Sequence, residues 1–311
     1  MSRLPTLLED SREKVFTAEF PTIDGAGMAK VISNVERLAP WFDAVNTTDN
    51  PAAHAHASNI SVAIAVKSHG LEPIMQIACR DKNRLAIQAD MIGASLHGIL
   101  NISLMTGDDV TAGDEPETRR VFDLDSAQAI SVAKSLNNGV YLSGRAIKPP
   151  TNFYIGAVEN AAAPPLEYRV QRALKKHRAG AQFLQLQICY HADRLEAFCG
   201  GVAQIAPALH LLPTIVLLKG ARQLNFMNEK VPGIDVPKVI IERVENSSDP
   251  QEAAYQLALE QARHALTLPN VRGLHIADFR HDETLIRLMK DLGRNARKSN
   301  QIDHIAHVDA R

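Results

Sequence analysis

The stretch ILNISLMTGDDVTAGDEPETRRVFDLDS, residues 99–126, decides the reading of the fold. Ile99 to Met105 is a short aliphatic and β-branched run that reads as a buried strand. It ends on Thr106-Gly107-Asp108-Asp109, where a glycine permits a sharp turn and two carboxylates stand at the edge of the core. A polar loop with Gly113 and Pro116 follows, and Asp125-Ser126 is placed to cap a helix running to about Leu136. Buried strand, acidic loop and helix make the unit of a parallel α/β fold, whose ligands bind at the carboxyl ends of the strands.

The same unit recurs outward in both directions. Strands are predicted over Val15–Phe20, Phe42–Asn46 and Ile74–Ala78 before it, and over Phe153–Val158, Phe183–Cys189, Pro213–Leu218 and Val271–Ala277 after it. Helical spacing or capping follows each: Ala26–Leu38, Ser58–His69, Asn83 to His97, Leu166–Ala179, Ala192–Leu209, Gly220–Asn228 with Gln251–Leu268, and Asp282–Leu292. No hairpin signal and no Pro/Gly/Ser-rich linker interrupts the alternation. Alternation predicts a parallel sheet, and eight units predict its closure into a (β/α)8 TIM barrel of the α/β class. A doubly wound open sheet would favour a glycine-rich phosphate loop after the first strand, and none is present. The 311 residues suit one barrel domain over 1–311, with a short N-terminal extension and a polar, frayed tail from Arg294.

Composition narrows the partners. The chain is 45% hydrophobic and 22% charged, with formal net charge −1, which supports neither nucleic acid nor an anionic membrane as a partner. No apolar run approaches the length of a membrane span, and the N-terminus lacks a signal-peptide pattern, so a cytoplasmic protein is expected. Cys79, Cys189 and Cys199 form no CxxC pair, and their odd count argues against a disulfide framework; Cys79 and Cys189, in or beside apolar strands, read as inert core thiols.

In a barrel the strand exits share one rim. They are Glu19, Asn46 to Asn50, Cys79-Arg80-Asp81, Asp108-Asp109, Glu159-Asn160, Gln187, Lys219 and Asp278, a polar set of mixed charge that suits a polar heterocycle better than a lipid. Glu19, ending an apolar strand, is either a general acid at the mouth or a surface carboxylate. Asp108 is either a ligand contact or a turn aspartate. Gln187 is either a ligand-reading amide or an interior amide satisfied by its neighbours. Arg169, Arg172, Lys175 and Lys176 recur at helical spacing, which is ordinary for a solvated face. His54 and His56 make an HxH pair without further ligands nearby, so no metal is expected. Candidate ring-stacking residues are Phe122, Tyr154, Tyr190 and Phe226, and Lys219 is the one clear Schiff-base candidate of an aldolase reading.

Several of these segments together resemble the methylenetetrahydrofolate reductase family. The carriers are Thr106-Gly107-Asp108, Gly113-Asp114 with Pro116, and Val121-Phe122-Asp123-Leu124-Asp125-Ser126. Further matches are Phe16 to Pro21, Glu72-Pro73 with Cys79 to Arg84, Ile155 to Gln187, and Val231-Pro232-Gly233-Ile234 with Val236-Pro237. The resemblance runs from Phe16 to about Leu292. It implies hydride transfer between NADH or NADPH and 5,10-methylenetetrahydrofolate through bound FAD, or FMN, in a homo-oligomer with a folate substrate. It implies Glu19 as the acid that protonates the folate, and Asp108 in catalysis and in both ligand sites. Gln187 and Phe226 would contact the folate. Thr106, Gly107, Phe122, Asp123, Gly156, Ala157, Asn160, Arg172 and Lys176 would hold the flavin. The sequence departs from the family pattern at the seventh strand's exit, where Thr214 to Lys219 lacks a glycine and a proline, and at Ala161, where proline often follows the asparagine. A further departure is Gln76, where some members have histidine, and together these departures leave open an altered flavin affinity, a flavin-free direct hydride transfer or a shifted substrate. A noncatalytic folate-binding or partner-binding subunit is the alternative from another class, and the joint presence of Glu19, Asp108 and Gln187 argues against it.

Overall fold

A computed structural model of the chain describes residues 2–10, 12–231 and 233–297. Eight strands pair in parallel, each with the next, and the last returns to the first to close a barrel. They are β1 (Val15–Glu19), β2 (Ala44–Thr47), β3 (Pro73–Ala78), β4 (Asn101–Met105), β5 (Tyr154–Glu159), β6 (Phe183–Leu186), β7 (His210–Leu217) and β8 (Gly273–Asp278). The helices are α1 (Leu4–Glu9), α2 (Ala29–Leu38), α3 (Asn59–Ser68), α4 (Arg84–Leu96), α5 (Ser126–Asn137), α6 (Leu166–Ala179), α7 (Ala192–Ile205), α8 (Ala221–Lys230), α9 (Lys238–Glu245), α10 (Pro250–Ala265) and α11 (Thr284–Asp291). The expected (β/α)8 barrel is the observed fold. No helix among the described residues is long and apolar enough to cross a membrane.

Local signals place several boundaries. Asn83 accepts hydrogen bonds from the N–H groups of Leu85 and Ala86 at the start of α4. Asp125 and Gln128 form a reciprocal capping box on α5. Elsewhere closure overrides the apolar run. β6 ends at Leu186, not Cys189, because its paired positions end at Leu186 on both neighbours, Glu159 and Pro213. β7 starts three residues earlier than its apolar run suggests, because His210 pairs with Phe183.

Two helices have no counterpart in the sequence reading. α9 packs Ile241 and Val244 into an apolar cluster with Leu224, Val236 and Leu257. α1 lies under the barrel, where Leu4 and Leu8 close a floor made by Val15, Ala44, Ile74, Tyr154, Phe183 and Leu212. The rings of Tyr154 and Phe183 stack there with centroids 5.3 Å apart, and Arg272 Nε donates to Leu8 O at 2.8 Å. This plug seals the amino-terminal end, so chemistry is left to the opposite rim. The tail also differs from expectation at its start. Arg294 donates to Asp43 at 2.8 Å, Arg297 reaches the same carboxylate, and the Arg297 N–H donates to Pro40 O at 2.8 Å. The rest of that tail, and Pro232 of the predicted turn, lie outside the described residues.

Candidate active site

Above the apolar floor the barrel interior becomes polar. Inward-facing positions alternate along each strand, and register sets Thr17 beside His275 and Glu19 beside Asn46. Thr17, Asn46, Gln185 and His275 are all buried. Asn46 and Gln185 exchange amide hydrogen bonds of 3.0 and 2.9 Å. His275 Nδ1 lies 2.9 Å from Thr17 Oγ1 and 3.2 Å from Gln185 Nε2. Its Nε2 lies 3.0 Å from Glu19 Oε2 and 3.4 Å from Asn46 Nδ2. The Glu19 side chain keeps 36% exposure, so this carboxyl stands on a buried network with its tip at the mouth. Among the described residues Glu19 Oε1 has no hydrogen-bond partner.

The 99–126 stretch forms the neighbouring part of the rim. Gly107 takes φ +93, and a Cβ there would come within 3.0 Å of Arg80 Cβ, so the turn requires glycine. Thr106 Oγ1 accepts from the Ser126 N–H at 3.2 Å, which fastens the β4 exit to the start of α5. Asp108, one residue past the turn, is exposed. Asp109 is spent on the loop itself: it accepts from Arg120 at 2.6 and 2.7 Å.

At the β5 exit, Glu159 is a buried carboxylate with three cations around it. Lys176 Nζ lies 2.7 Å away, Arg172 Nε 3.3 Å and Arg169 Nη1 3.5 Å. One negative charge against three positive leaves this corner cationic. Burial pulls the Lys176 ammonium below its ordinary range, and the Glu159 charge pushes the other way.

Several residues that the family resemblance assigned to the flavin are committed elsewhere. Lys176 is 4% exposed and locked between Glu159 and the Val158 carbonyl, so it cannot also reach a phosphate at the surface. Gly156 packs under Phe183, whose ring would come within 2.2 Å of an added Cβ, and Ala157 is fully buried in the helix-facing core. Neither presents surface to a ligand. Asn160 donates to Gly233 O at 2.7 Å and accepts from the Ala162 and Ala163 N–H groups at 2.9 and 3.1 Å, so its amide is a loop clamp. Asp123 accepts two side-chain bonds from Arg84, each 2.8 Å, and this pairing holds its carboxyl down to about 2.

The other candidates sit around the rim. Arg172 is 37% exposed beside Glu159, and Phe122 is half-buried with φ 38. Gln187 follows β6, with its Oε1 accepting from the Ile188 N–H at 3.1 Å. Phe226 is 59% exposed on α8, beside a shallow depression of about 500 Å³ lined by Lys219, Arg222 and Gln223 among others. Lys219 is exposed, unlike the desolvated lysine an aldolase needs. Tyr154 is in the floor, and Tyr190 is buried with its hydroxyl on Met227 Sδ at 3.8 Å. His56 pairs with Asp24 at 2.6 Å while His54 contacts the Ala52 carbonyl, so the HxH pair is divided.

Sequence reading placed Asn46 and Glu159 on the rim without assigning either a particular role, and it missed His275 and Gln185. The available signal was parity: Gln185 stands two residues before Gln187, and His275 stands inside the apolar run of the eighth strand.

A sealed floor, a polar interior and a carboxyl held at the mouth define a (β/α)8 barrel built to act on a polar ligand at the carboxyl end of its strands. The family profile described as Methylenetetrahydrofolate reductase matches residues 4–293, and the chain belongs to that family of folate-linked oxidoreductases. Among solved structures it is similar to an uncharacterized protein from Clostridium thermocellum, described as binding two copies of 5-methyl-5,6,7,8-tetrahydrofolic acid. That likeness has 14% identity over 94% of this chain and 99% of the other, with a TM-score of 0.66. DmoA from Hyphomicrobium sulfonivorans is 8% identical over 90% of this chain and 88% of the other, with a TM-score of 0.56. EDTA monooxygenase from Chelativorans is 9% identical over 90% and 92%, with a TM-score of 0.53. At these identities the likenesses speak to the fold.

Proposed function

We propose that the protein interconverts 5,10-methylenetetrahydrofolate and 5-methyltetrahydrofolate, with NADH or NADPH as the hydride partner and a flavin, FAD or FMN, at the barrel mouth. The observation that carries this reading is Glu19: a carboxyl at the mouth with one oxygen tethered to His275 and the other without a hydrogen-bond partner among the described residues. Reduction of the folate requires a proton to open the five-membered ring before hydride arrives at the one-carbon unit. Glu19 is the group positioned to give it, and to take it back in the reverse direction. Asp108, exposed beyond the β4 turn, supplies a negative charge that can accept from the amino group of a pterin or tune a neighbouring ring. Gln187 can donate its free amide N–H to the pterin edge. Phe226 offers a face for the aromatic middle of the folate.

The donor set at the β5 exit fits the phosphates of a flavin. Arg169 and Arg172 carry charge in excess of the single Glu159 carboxylate, and α6 begins without a side-chain cap on its N–H groups. A flavin held there would relay hydride between nicotinamide and folate. The chain's own residues contribute position and the Glu19 proton.

A flavin-free transfer directly from NADH or NADPH is the second reading. It is favoured by the commitment of Lys176, Asn160, Gly156, Ala157 and Asp123 to the protein itself. The visible absorption spectrum of protein titrated with FAD and FMN separates the two: a flavin band that stays with the protein supports the first, and colourless protein the second.

The test of the core reading is Glu19→Gln. General-acid losses run about 10²- to 10⁴-fold, so folate turnover should fall by that factor. Reduction of bound flavin by NADH or NADPH in the absence of folate, in which the flavin takes up the hydride, should change far less. Equal loss in both would make Glu19 a structural residue of the site.

A further inference from the structure

We propose that the barrel holds one internal water on its β3–β4 wall, bound between the Ser103 hydroxyl and the Gln76 side-chain amide. The site is independent of which ligand occupies the mouth.

Strand register puts both side chains toward the barrel axis. Gln76 stands two residues beyond Ile74, a floor residue, and Ser103 is its direct partner on β4. Followed round the barrel, the pairings place Asn46, Ser103, Gln185 and His275, one from each even-numbered strand, in a single layer. Asn46, Gln185 and His275 are hydrogen-bonded to one another. Ser103 is the remaining member. It is fully buried, and its Oγ has no hydrogen-bond partner among the described residues. A hydroxyl buried in that way costs folding energy unless something satisfies it.

The neighbours supply what a water needs. Among the described residues the Gln76 side chain makes no hydrogen bond, so its N–H groups and its carbonyl stand free beside Ser103. Asn46 Oδ1 and Gln185 Oε1 each accept one amide bond and keep one lone pair. No direct bond joins Ser103 to any of these groups. A water has two O–H donors and two lone pairs, and it bridges polar groups too far apart to bond directly. The Ser103–Gln76 pair carries no charge, and Glu19 is tethered to His275 two strands from Gln76, so the site suits a neutral water and not an ion. Gln76 keeps 8% exposure above the sealed floor, which gives the water its way in from the mouth.

A crystal structure of the whole wild-type protein, at a resolution that shows ordered water, is the direct test. Density roughly 2.5–3.2 Å from both Ser103 Oγ and a Gln76 amide atom is expected. No density between them, or a Ser103 hydroxyl bonded straight to a protein carbonyl, overturns the proposal. This arm does not depend on any variant folding.

Urea unfolding gives a second arm. Ser103→Ala and Gln76→Met each remove one anchor of the water, so each should raise the unfolded-to-folded ratio roughly two- to tenfold. The double variant should lose less than the product of the two, because the anchors share one water. Losses that simply multiply overturn the bridge. A Ser103→Ala protein as stable as wild type, or more stable, overturns it too, since that is the result of deleting a hydroxyl that nothing satisfies.

Discussion

Glu159→Gln tests the most heavily charged contact in the rim. The wild-type carboxylate side chain is 1% exposed and faces Lys176, itself 5% exposed, at 2.7 Å. Arg169 and Arg172 are 21% and 37% exposed, so water screens them and their share of the loss is small. Lys176 dominates the cost. Removing one partner of a buried pair costs about 3–5 kcal/mol. The ceiling is about 5 kcal/mol at neutral pH, the cost of taking the proton off an ordinary lysine, because beyond that the ammonium neutralises. The sign with pH follows. In the variant the folded lysine loses its proton more readily than the unfolded one, so the unfolded state binds more protons and stability rises as pH rises toward 10.5, the ordinary value. Equilibrium urea unfolding at several pH values reads both effects. The double variant Glu159→Gln with Lys176→Met, which leaves no buried unpaired charge, should recover most of the loss. A single-variant loss below about 1 kcal/mol, or a double variant no more stable than the single, would refute the reasoning.

Three further outcomes are expected. Asp108→Asn should leave urea stability within about 0.5 kcal/mol, since the residue is exposed, yet lower folate turnover; unchanged folate kinetics would make it a turn residue only. Phe226→Ala should likewise spare stability while raising KM for folate, and an unaltered KM would remove Phe226 from the site. Asp123 should titrate near 2 by carboxyl ¹³C NMR and return toward 3.8 in Arg84→Ala, because the Arg84 hydrogen bonds are what lower it. Its contribution to stability is present above the unfolded value and is lost as pH falls through about 2, so a titration unmoved by Arg84→Ala would assign the shift elsewhere.

What sequence alone determined was the alternation of elements, and with it the barrel. Strand patterning and helix caps are local signals: Asn83 and the Asp125–Gln128 box bond to backbone groups within three residues, so neighbours in sequence are enough to read them. The rim was legible for the same reason, since a residue that ends an apolar run in a parallel barrel must lie at the mouth; Glu19, Asp108 and Gln187 were found this way. Tertiary structure alone decided what each of these groups touches. Glu19 meets His275 across 256 positions of sequence, and Asn46 meets Gln185 across 139, because closure of the barrel brings β1, β2, β6 and β8 around one axis. The same closure withdrew Lys176, Asn160 and Gly156 from the ligand. Whether a lysine faces a phosphate or a buried carboxylate depends on how α6 lies against β5, and nothing within the helix sequence carries that distance.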